Sequence, residues 1–153
     1  MLTVCIGILL SQSPGWSQIP ADLQAKHELT SYAELSQIVQ DLDTDPLFTV
    51  SEAGKSSEDR SLWLIRITRP EQRVRWRVFL YAQQHGNEPA GKEALIRLAQ
   101  LIKDDPKLLG RGMELWLMPM VNPDGAERDQ RRNALGADLN RDHMTLEQPE
   151  TIA

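Results

Sequence analysis

The sequence has a single cysteine, three histidines and no long apolar run after its first residues. Cys5 lies inside an apolar N-terminal stretch, so a chain without that stretch has neither a disulfide nor a thiolate metal ligand. Any metal site in the remainder must therefore be built from histidine, aspartate and glutamate. No later segment approaches the roughly 20 apolar residues that a membrane-spanning helix needs, so the sequence predicts no membrane span.

A basic excess is also missing, because the formal net charge is -5 and the sequence pI is about 5.2. This balance gives no electrostatic reason to expect nucleic acid or an anionic membrane as a partner. With 153 residues, of which 41% are hydrophobic, the chain can build one compact domain but not two. Basic residues are scattered, with one concentration near the end at Arg128, Arg131, Arg132 and Arg141.

The N-terminal residues 1–18 are typical of a secretory signal peptide. They carry no charged side chain, contain an apolar core from Leu2 to Leu10, and end after Pro14 and Gly15 among small residues. A basic residue before the apolar core is absent, and the alternative is a buried N-terminal strand. The signal-peptide interpretation predicts a periplasmic or secreted protein.

Residues 19–44 are predicted to form an N-terminal linker and a first helix. Ser31 and Glu34 fit a capping box, and apolar residues follow at helical spacing, which predicts a helix over residues 31 to 42. The remaining residues 45–153 are predicted to form the main domain.

Four extended runs and a second helix are predicted in this main domain. "LFTVSEAG" and "SLWLIRITR" flank a polar turn cluster, which is the pattern of a hairpin or meander. "VRWRVFLYA" becomes continuously apolar, as in a strand that enters the covered middle of a sheet. Pro89 opens the helix, and "MELWLMPMV" is a strand that ends near Pro119. The apolar stripe predicted for this helix consists of Ala94, Leu95, Leu98, Leu101 and Ile102.

The order strand, helix, strand predicts an α/β fold with a right-handed crossover between two parallel strands. Loops that leave the carboxyl ends of neighbouring parallel strands lie at the same edge of a sheet, where ligands bind. The loops "QQHGNEPAG" and "VNPDGAERDQRRNALGADLNRDH" should therefore converge, although they are far apart in sequence.

The first of these loops holds His85 and Glu88, whose side chains are both good ligands for zinc. Gly86 permits a tight turn, and Pro89 fixes the start of the next helix. The spacing HxxE is a weak signal by itself. The alternative is an exposed turn in which Glu88 interacts favourably with the helix N-terminus.

The second loop contains "NPDG", which fits a tight β-turn, and "RRNALGADLNR". Arg131 and Arg141 would place cations at the edge that carries His85 and Glu88, an arrangement suited to binding a carboxylate and stabilising an oxyanion. The alternative is a solvated arginine-rich loop.

Taken together, these motifs resemble those of the zinc metallocarboxypeptidases. "HGNE", "NPDG" and "R.N..G.DLNR" occur in the order of that family at compatible spacing, and "EQPET" follows where the family often has a Pro-Glu-Thr run. The resemblance covers most of residues 45 to 153. It implies an α/β fold with a mixed, centrally parallel sheet flanked by helices, of which this chain contains only the N-terminal part.

The resemblance implies that His85 and Glu88 are two of the three protein ligands of a catalytic Zn2+. Asp138 matches the aspartate that hydrogen-bonds the first zinc histidine. Arg131 matches the arginine that polarises the scissile carbonyl and stabilises the oxyanion, with its neighbour Arg132 as a fallback.

Asn140 and Arg141 match the pair that binds the terminal carboxylate of a peptide substrate, for which Arg141 offers a bidentate grip. The family's third ligand, its tyrosine and its glutamate base come further along the sequence than residue 153. His143 is too close to Arg141 to be that ligand, and His27 lies far upstream. The chain as given is therefore expected to be an inactive, truncated product with an unpaired sheet edge.

Two alternatives to a carboxypeptidase remain open from the sequence. One is a zinc amidase of the desuccinylase or aspartoacylase type, which acts on small acylated amino acids; "NPDG" and the predicted export favour the carboxypeptidase. The other is a non-catalytic module that recognises C-terminal carboxylates through Arg131, Asn140 and Arg141.

Overall fold

The computed structural model describes residues 29–153 of the chain. The predicted signal peptide at residues 1–18 lies outside the described residues, as do Cys5, His27 and most of the predicted linker. None of the described helices is long and apolar enough to cross a bilayer. The helices are α1 (Tyr32–Leu42), α2 (Ala90–Asp104), α3 (Pro123–Glu127) and α4 (Pro149–Ile152), and the strands are β1 (Phe48–Lys55), β2 (Ser61–Ile67), β3 (Trp76–Tyr81) and β4 (Met113–Met118).

The four strands form one mixed sheet in the order β1-β2-β4-β3. β1 pairs with β2 and β2 with β4 in antiparallel fashion, whereas β3 and β4 are parallel, with Trp76 opposite Met113 and Tyr81 opposite Met118. The helix α2 connects the parallel pair. The predicted strand–helix–strand unit and the α/β fold class are therefore confirmed.

Helix α1 begins where the sequence predicts. The backbone N–H of Ser31 donates to Glu34 Oε2 at 2.7 Å, and the Ser31 hydroxyl accepts from the backbone N–H of Glu34 at 3.3 Å. These reciprocal bonds form the expected capping box and satisfy two donors at the helix start.

The main hydrophobic core lies between one face of the sheet and the helices α1 and α2. A smaller cluster of Met118, Val121 and Leu139 lies on the opposite face, beneath the chain that follows β4. The main core is formed by Leu35, Val39 and Leu42 of α1, Ile96, Ala99 and Ile102 of α2, and Ile65, Ile67, Leu115 and Leu117 of the strands.

The predicted position of β3 in the covered middle of a sheet is wrong for the described residues, in which β3 is an edge strand. One side of β3 packs Val78 and Leu80 against the core, while Trp76, Phe79 and Tyr81 are 66%, 54% and 47% exposed. A continuously apolar run shows that both faces can be buried, but it does not show where the strand lies in the sheet.

The apolar stripe of α2 is also shifted from its predicted position. Ile96, Ala99 and Ile102 are buried, whereas Ala94 and Leu101 are exposed. A periodicity of 3.6 residues identifies a broad apolar face, and the packing against the sheet then decides which part of that face is central.

The "NPDG" segment forms the start of α3, so its prediction as a tight β-turn is wrong. Asn122 caps this short helix by accepting a hydrogen bond from the backbone N–H of Gly125 at 2.9 Å. Pro123 occupies the first helical position, where its missing N–H leaves no hydrogen bond unmade. An Asn-Pro pair suits a helix start as well as a turn.

Candidate active site

Two loops meet at the carboxyl ends of the parallel strands β3 and β4. The first loop, residues 83–89, follows β3, and the second loop, residues 122–148, follows β4. Pairing continues past the strands, because Asn122 donates its backbone N–H to the carbonyl of Gln83 at 3.1 Å and Val121 donates to Ala82 at 3.0 Å. The loops therefore begin side by side, as the parallel arrangement predicts.

His85 lies between two carboxylates, one from each loop. Its Nδ1 is 3.2 Å from Oε2 of Glu88, and its Nε2 is 3.2 Å from Oδ1 of Asp138. The imidazole is 11% exposed, whereas the side chain of Glu88 is 61% exposed. The convergence of His85 and Glu88 expected for a metal site is present, and Asp138 of the second loop lies on the other side of the same imidazole.

The spacing of these atoms suits a shared metal ion. Two donors that each bind zinc at about 2 Å with tetrahedral geometry lie roughly 3.3 Å apart, close to the observed separation of His85 Nδ1 and Glu88 Oε2. Within residues 29–153, no group of three or more His, Cys, Asp or Glu side chains could hold a metal ion. His85 and Glu88 thus offer two candidate donors, fewer than the three protein ligands of a catalytic zinc site.

Asp138 fixes the orientation of the imidazole. It caps the short 3-10 turn Leu139–Arg141 and accepts from the backbone N–H of Asn140 at 3.2 Å. Burial raises the pKa of Asp138. The hydrogen bond from His85, the charge of Arg131 and the backbone N–H of Asn140 lower it by more than burial raises it, so the net pKa is below the usual range. An ionised Asp138 can accept a hydrogen bond from His85 Nε2, and Nδ1 is the ring nitrogen that faces Glu88.

Arg131 belongs to this cluster, and Arg132 does not. The Nη1 of Arg131 lies 3.3 Å from Glu88 Oε1, and its Nη2 lies 3.4 Å from Asp138 Oδ2. Arg132 instead donates to the carbonyl oxygen of Gly136 at 2.7 Å within its own turn. Of these two neighbours, Arg131 is therefore the one that contacts the carboxylates around His85.

Of the two residues expected to bind a carboxylate, Asn140 lines a cleft beside His85 and Arg141 is its exposed neighbour in sequence. Arg141 Nε is 3.6 Å from Asp138 Oδ2, and its side chain is 86% exposed. Asn140 lines an open cleft of about 750 Å³ together with His85 and Glu88. His143 is exposed and contacts Gln84, with 2.5 Å between the histidine Nε2 and the amide nitrogen.

The backbones of the two loops are in direct contact at Gly86. A Cβ atom on Gly86 would lie 2.1 Å from the carbonyl carbon of Gly125 and 2.5 Å from the carbonyl oxygen of Gln130. Gly86 was predicted for its ability to turn tightly, but its φ angle is not in the left-handed region. Its role here is steric, because only glycine permits this approach.

Asn122 joins the loops through its fully buried side chain. The amide nitrogen donates to the carbonyl of Gln84 at 3.3 Å and to the carbonyl of Arg131 at 3.4 Å, while the oxygen accepts from Gly125. One side chain thereby links the backbone beside His85 with the backbone of Arg131. This role of Asn122 was not predicted from the sequence, although an asparagine directly after a strand and before proline is a helix-cap signal.

A second polar centre, at Asp142, stabilises the end of the second loop. Its carboxylate accepts from the hydroxyls of Thr151 and Thr145 and from the backbone N–H groups of Glu147 and Gln148. The Thr151 hydroxyl is the main cause of a pKa well below the usual range; burial opposes it, and the other donors add to it. Nothing in the sequence indicated that Asp142 differs from a solvated aspartate.

Comparison with known proteins identifies the family of the chain. The family model described as zinc carboxypeptidase matches residues 35–151, which is most of the chain. The chain belongs to the zinc carboxypeptidase family. The match begins inside α1 and includes both loops, so the predicted family is confirmed.

The curated relatives are carboxypeptidases. The chain is 39% identical over 118 residues to carboxypeptidase SOL1 of Arabidopsis thaliana, covering 65% of this chain and 24% of that protein. It is 30% identical over 154 residues to human carboxypeptidase D, covering 84% of this chain and 11% of that protein. These relatives do not favour the amidase alternative. The chain thus spans a quarter or less of the length of these two relatives.

Solved structures of the family have the same fold. A metallo-carboxypeptidase from Pseudomonas aeruginosa, in complex with (2-guanidinoethylmercapto)succinic acid, matches with a TM-score of 0.64 and 29% identity, over 78% of this chain and 34% of that one. A metallo-carboxypeptidase from Burkholderia cenocepacia matches with a TM-score of 0.65 and 26% identity, over 79% of this chain and 35% of that one. About a third of a solved family structure therefore corresponds to this chain.

Proposed function

We propose that this chain forms part of the active site of a zinc-dependent metallocarboxypeptidase, an enzyme that removes C-terminal residues from peptides. The observation that carries the proposal is the position of His85, with Nδ1 facing Glu88 and Nε2 facing Asp138 at 3.2 Å each. Two carboxylates on opposite nitrogens are what a metal-binding histidine with an orienting partner requires.

In this proposal His85 Nδ1 and a carboxylate oxygen of Glu88 hold the metal. Bound zinc supplies a Lewis acid that lowers the pKa of water and polarises a carbonyl group. Asp138 keeps the proton of His85 on Nε2, so that Nδ1 stays available as a donor. These two ligands form part of a larger set, consistent with the share of the family structures that the chain covers.

Arg131 is proposed to stabilise the negative charge that develops on the carbonyl oxygen of the scissile bond. Its guanidinium is half-exposed and lies beside Glu88 and Asp138, so it can reach an oxygen next to the metal. Such a preformed donor is worth several kcal/mol in a transition state, roughly 3 to 4 in measured cases.

Asn140 and Arg141 are proposed to hold the terminal carboxylate of a peptide. Asn140 lines the cleft that contains His85, and the exposed Arg141 follows it in sequence and contacts Asp138. A guanidinium can form two parallel hydrogen bonds with a carboxylate, which would fix the last peptide bond near the metal. The proposed partner is therefore a peptide or peptide-like substrate with a free C-terminal carboxylate.

The remaining assignments of the chain complete the proposal. Residues 1–18 would be a signal peptide, residues 19–44 a linker and helix α1, and residues 45–153 the N-terminal part of the catalytic domain. Export through the signal peptide would place the protein in the periplasm or outside the cell.

A ligand-binding measurement tests the proposal. An N-acetylated dipeptide with a free C-terminal carboxylate is titrated into the protein, and the side-chain resonances of Asn140 and Arg141 are followed by NMR. We expect saturable shifts with the free acid and none with the C-terminal amide of the same peptide. Arg141→Gln should weaken binding about tenfold or more, because it removes a charge-assisted bidentate contact.

Arg132→Gln is the matched control, since it removes the same charge from the same loop but from a side chain that donates to Gly136. Binding equal for the acid and the amide, or equal losses in the two variants, would contradict the substrate assignment. Binding of the acid that is unaffected by added Zn2+ would favour the non-catalytic carboxylate-binding module.

A further inference from the structure

A second basic site lies at the opposite edge of the sheet, and the scattered basic residues of the sequence gave no indication of it. Arg73, Arg75 and Arg111 line one cavity of about 420 Å³ together with Gln72 and Gly112. We call this site the arginine cleft. Two of its arginines precede β3 and the third precedes β4, so the parallel pairing of these strands brings them together.

The backbone beneath the arginine cleft is firmly built. The Gln72 side chain accepts from the backbone N–H of Gly112 at 3.1 Å and donates to the carbonyl of Met113 at 3.0 Å. The backbone N–H of Arg75 donates to the carbonyl of Gly112 at 2.8 Å. These bonds hold the two arginine-bearing segments in fixed register.

Gly112 permits the close contact of these segments. Its φ angle is +74°, and a Cβ atom there would lie 3.2 Å from Cγ of Arg75 and 3.4 Å from the carbonyl oxygen of Arg73. A side chain at residue 112 would therefore be strained and would push the arginines apart.

The charges of the arginine cleft are not neutralised within the described residues. All three arginines are exposed, and none forms an ion pair with a carboxylate of residues 29–153. By contrast, Arg66 and Arg77 on the nearby strands both pair with Glu114. Three like charges that line one cavity repel each other, and an anion bound between them would relieve this repulsion although the formal net charge of the chain is -5.

We propose that the arginine cleft binds a ligand that carries a phosphate- or sulfate-type oxyanion. Three guanidinium groups can direct several forked N–H donors at the oxygens of a tetrahedral dianion, whereas a single carboxylate has fewer oxygens and less charge. The site goes beyond the proposed peptidase function. β3 and β4 each span six residues, so the cleft lies about 20 Å from His85 at a rise of 3.3 Å per residue.

Titration of the protein with inorganic phosphate and with pyrophosphate tests this proposal. The arginine Nε–H and Gly112 N–H resonances are followed by NMR, with sodium chloride added in parallel at equal ionic strength. We expect saturable shifts at Gly112 and the three arginines, with pyrophosphate bound more tightly than phosphate. The variant with Arg73→Gln, Arg75→Gln and Arg111→Gln should bind pyrophosphate at least about tenfold more weakly than the parent protein. Glutamine keeps the Cβ and Cγ contacts but removes the charge.

Arg97→Gln is the matched control, because Arg97 is exposed on α2 and removal of its charge leaves the cleft intact. Its affinity should equal that of the parent protein. Circular dichroism and the unfolding midpoint show whether each variant is folded. The proposal would be overturned if sodium chloride at the same ionic strength gave the same resonance shifts as phosphate. Shifts that fail to saturate, or that occur only at Arg131 and Arg141, would also overturn it.

Binding to lipid vesicles shows whether the oxyanion ligand of the arginine cleft is a lipid headgroup or a soluble anion. Co-sedimentation with phosphatidylglycerol vesicles, absent with phosphatidylcholine vesicles and lost in the triple variant, would identify a lipid phosphate as a ligand. Pyrophosphate binding without co-sedimentation would identify a soluble ligand. Either result supports the oxyanion site, whereas absence of both would contradict it.

Discussion

The two loops of the candidate active site are positioned in different ways. The first loop, residues 83–89, is short. It is positioned by the contact of Gly86 with Gly125 and by the hydrogen bond from Asn122 of the other loop to the carbonyl of Gln84. The second loop is long but has its own polar interior, with Asp142 accepting several hydrogen bonds from its own segment.

This difference shows that the proposed metal ligands depend on a loop that provides neither of them. His85 and Glu88 lie on the first loop. Asp138, which contacts His85 Nε2, and Asn122, which bonds the backbone of Gln84, belong to the second. Disruption of the contact between the loops should therefore affect the site more than equal changes elsewhere.

The largest effect is expected for Gly86→Ala. The new Cβ would lie 2.1 Å from backbone atoms of Gly125, and backbone cannot move aside as a side chain can. We expect the free energy of unfolding to fall by about 3 kcal/mol or more. Denaturant unfolding measures this change, and Gly110→Ala is the control, because its nearest new contact is the end of Met113 at 3.5 Å. An equal effect at the two glycines would contradict the steric role of Gly86.

Asn122→Ala should have the next largest effect. The change removes a helix cap and leaves the carbonyls of Gln84 and Arg131 without their buried donor, so we expect a loss of about 2 kcal/mol in the free energy of unfolding. Ser31→Ala removes the exposed cap of α1 and should lose only about 1 kcal/mol. Chemical shifts of His85 should change in the first variant only; unchanged shifts there would show that the loops are held independently.

Asp142→Asn should destabilise the second loop but leave the first in place. The pKa of Asp142 is below its ordinary value of 3.8, so its ionised form stabilises the folded state at pH values above about 4. This contribution is lost as the pH falls below 3.8 toward the lowered pKa. Unfolding measured between pH 3 and pH 7 should show a smaller decrease in stability on acidification in Asp142→Asn than in the parent protein. Parallel curves for the two proteins would contradict this account.

Arg141→Ala should have the smallest effect on stability. Its side chain is 86% exposed and its contact with Asp138 is 3.6 Å, so the free energy of unfolding should change by less than about 0.5 kcal/mol. A greater loss in the free energy of unfolding would show that Arg141 stabilises the loop and is not reserved for ligand binding.

The same comparison explains how much could be predicted from the sequence. The capping box of α1, the parallel pair β3 and β4 and the convergence of His85 with Glu88 follow from local patterns and from the geometry of parallel sheets. The edge position of β3 and the central part of the α2 face depend on which elements pack together, which periodicity does not specify.

The supports of the site were harder to predict than its proposed ligands. The role of Asn122 depends on carbonyl groups of two loops that are distant in sequence, and that of Gly86 depends on a backbone from the other loop. The arginine cleft likewise needs residue 111 beside residues 73 and 75, which only the strand register provides. Candidate metal ligands can be identified from a short sequence motif, whereas contacts between residues distant in sequence cannot.

The central claim is that His85 offers Nδ1 to a metal while Asp138 holds the proton on Nε2. Zn2+ titration of protein with 15N-labelled histidine, followed by NMR of the ring nitrogens, tests this claim most directly. We predict that zinc shifts His85 Nδ1, that Nε2 remains protonated, and that Glu88→Gln weakens the response whereas Glu147→Gln, at an exposed position, does not. Zinc bound through Nε2, or no response of His85 at saturating zinc, would contradict the account.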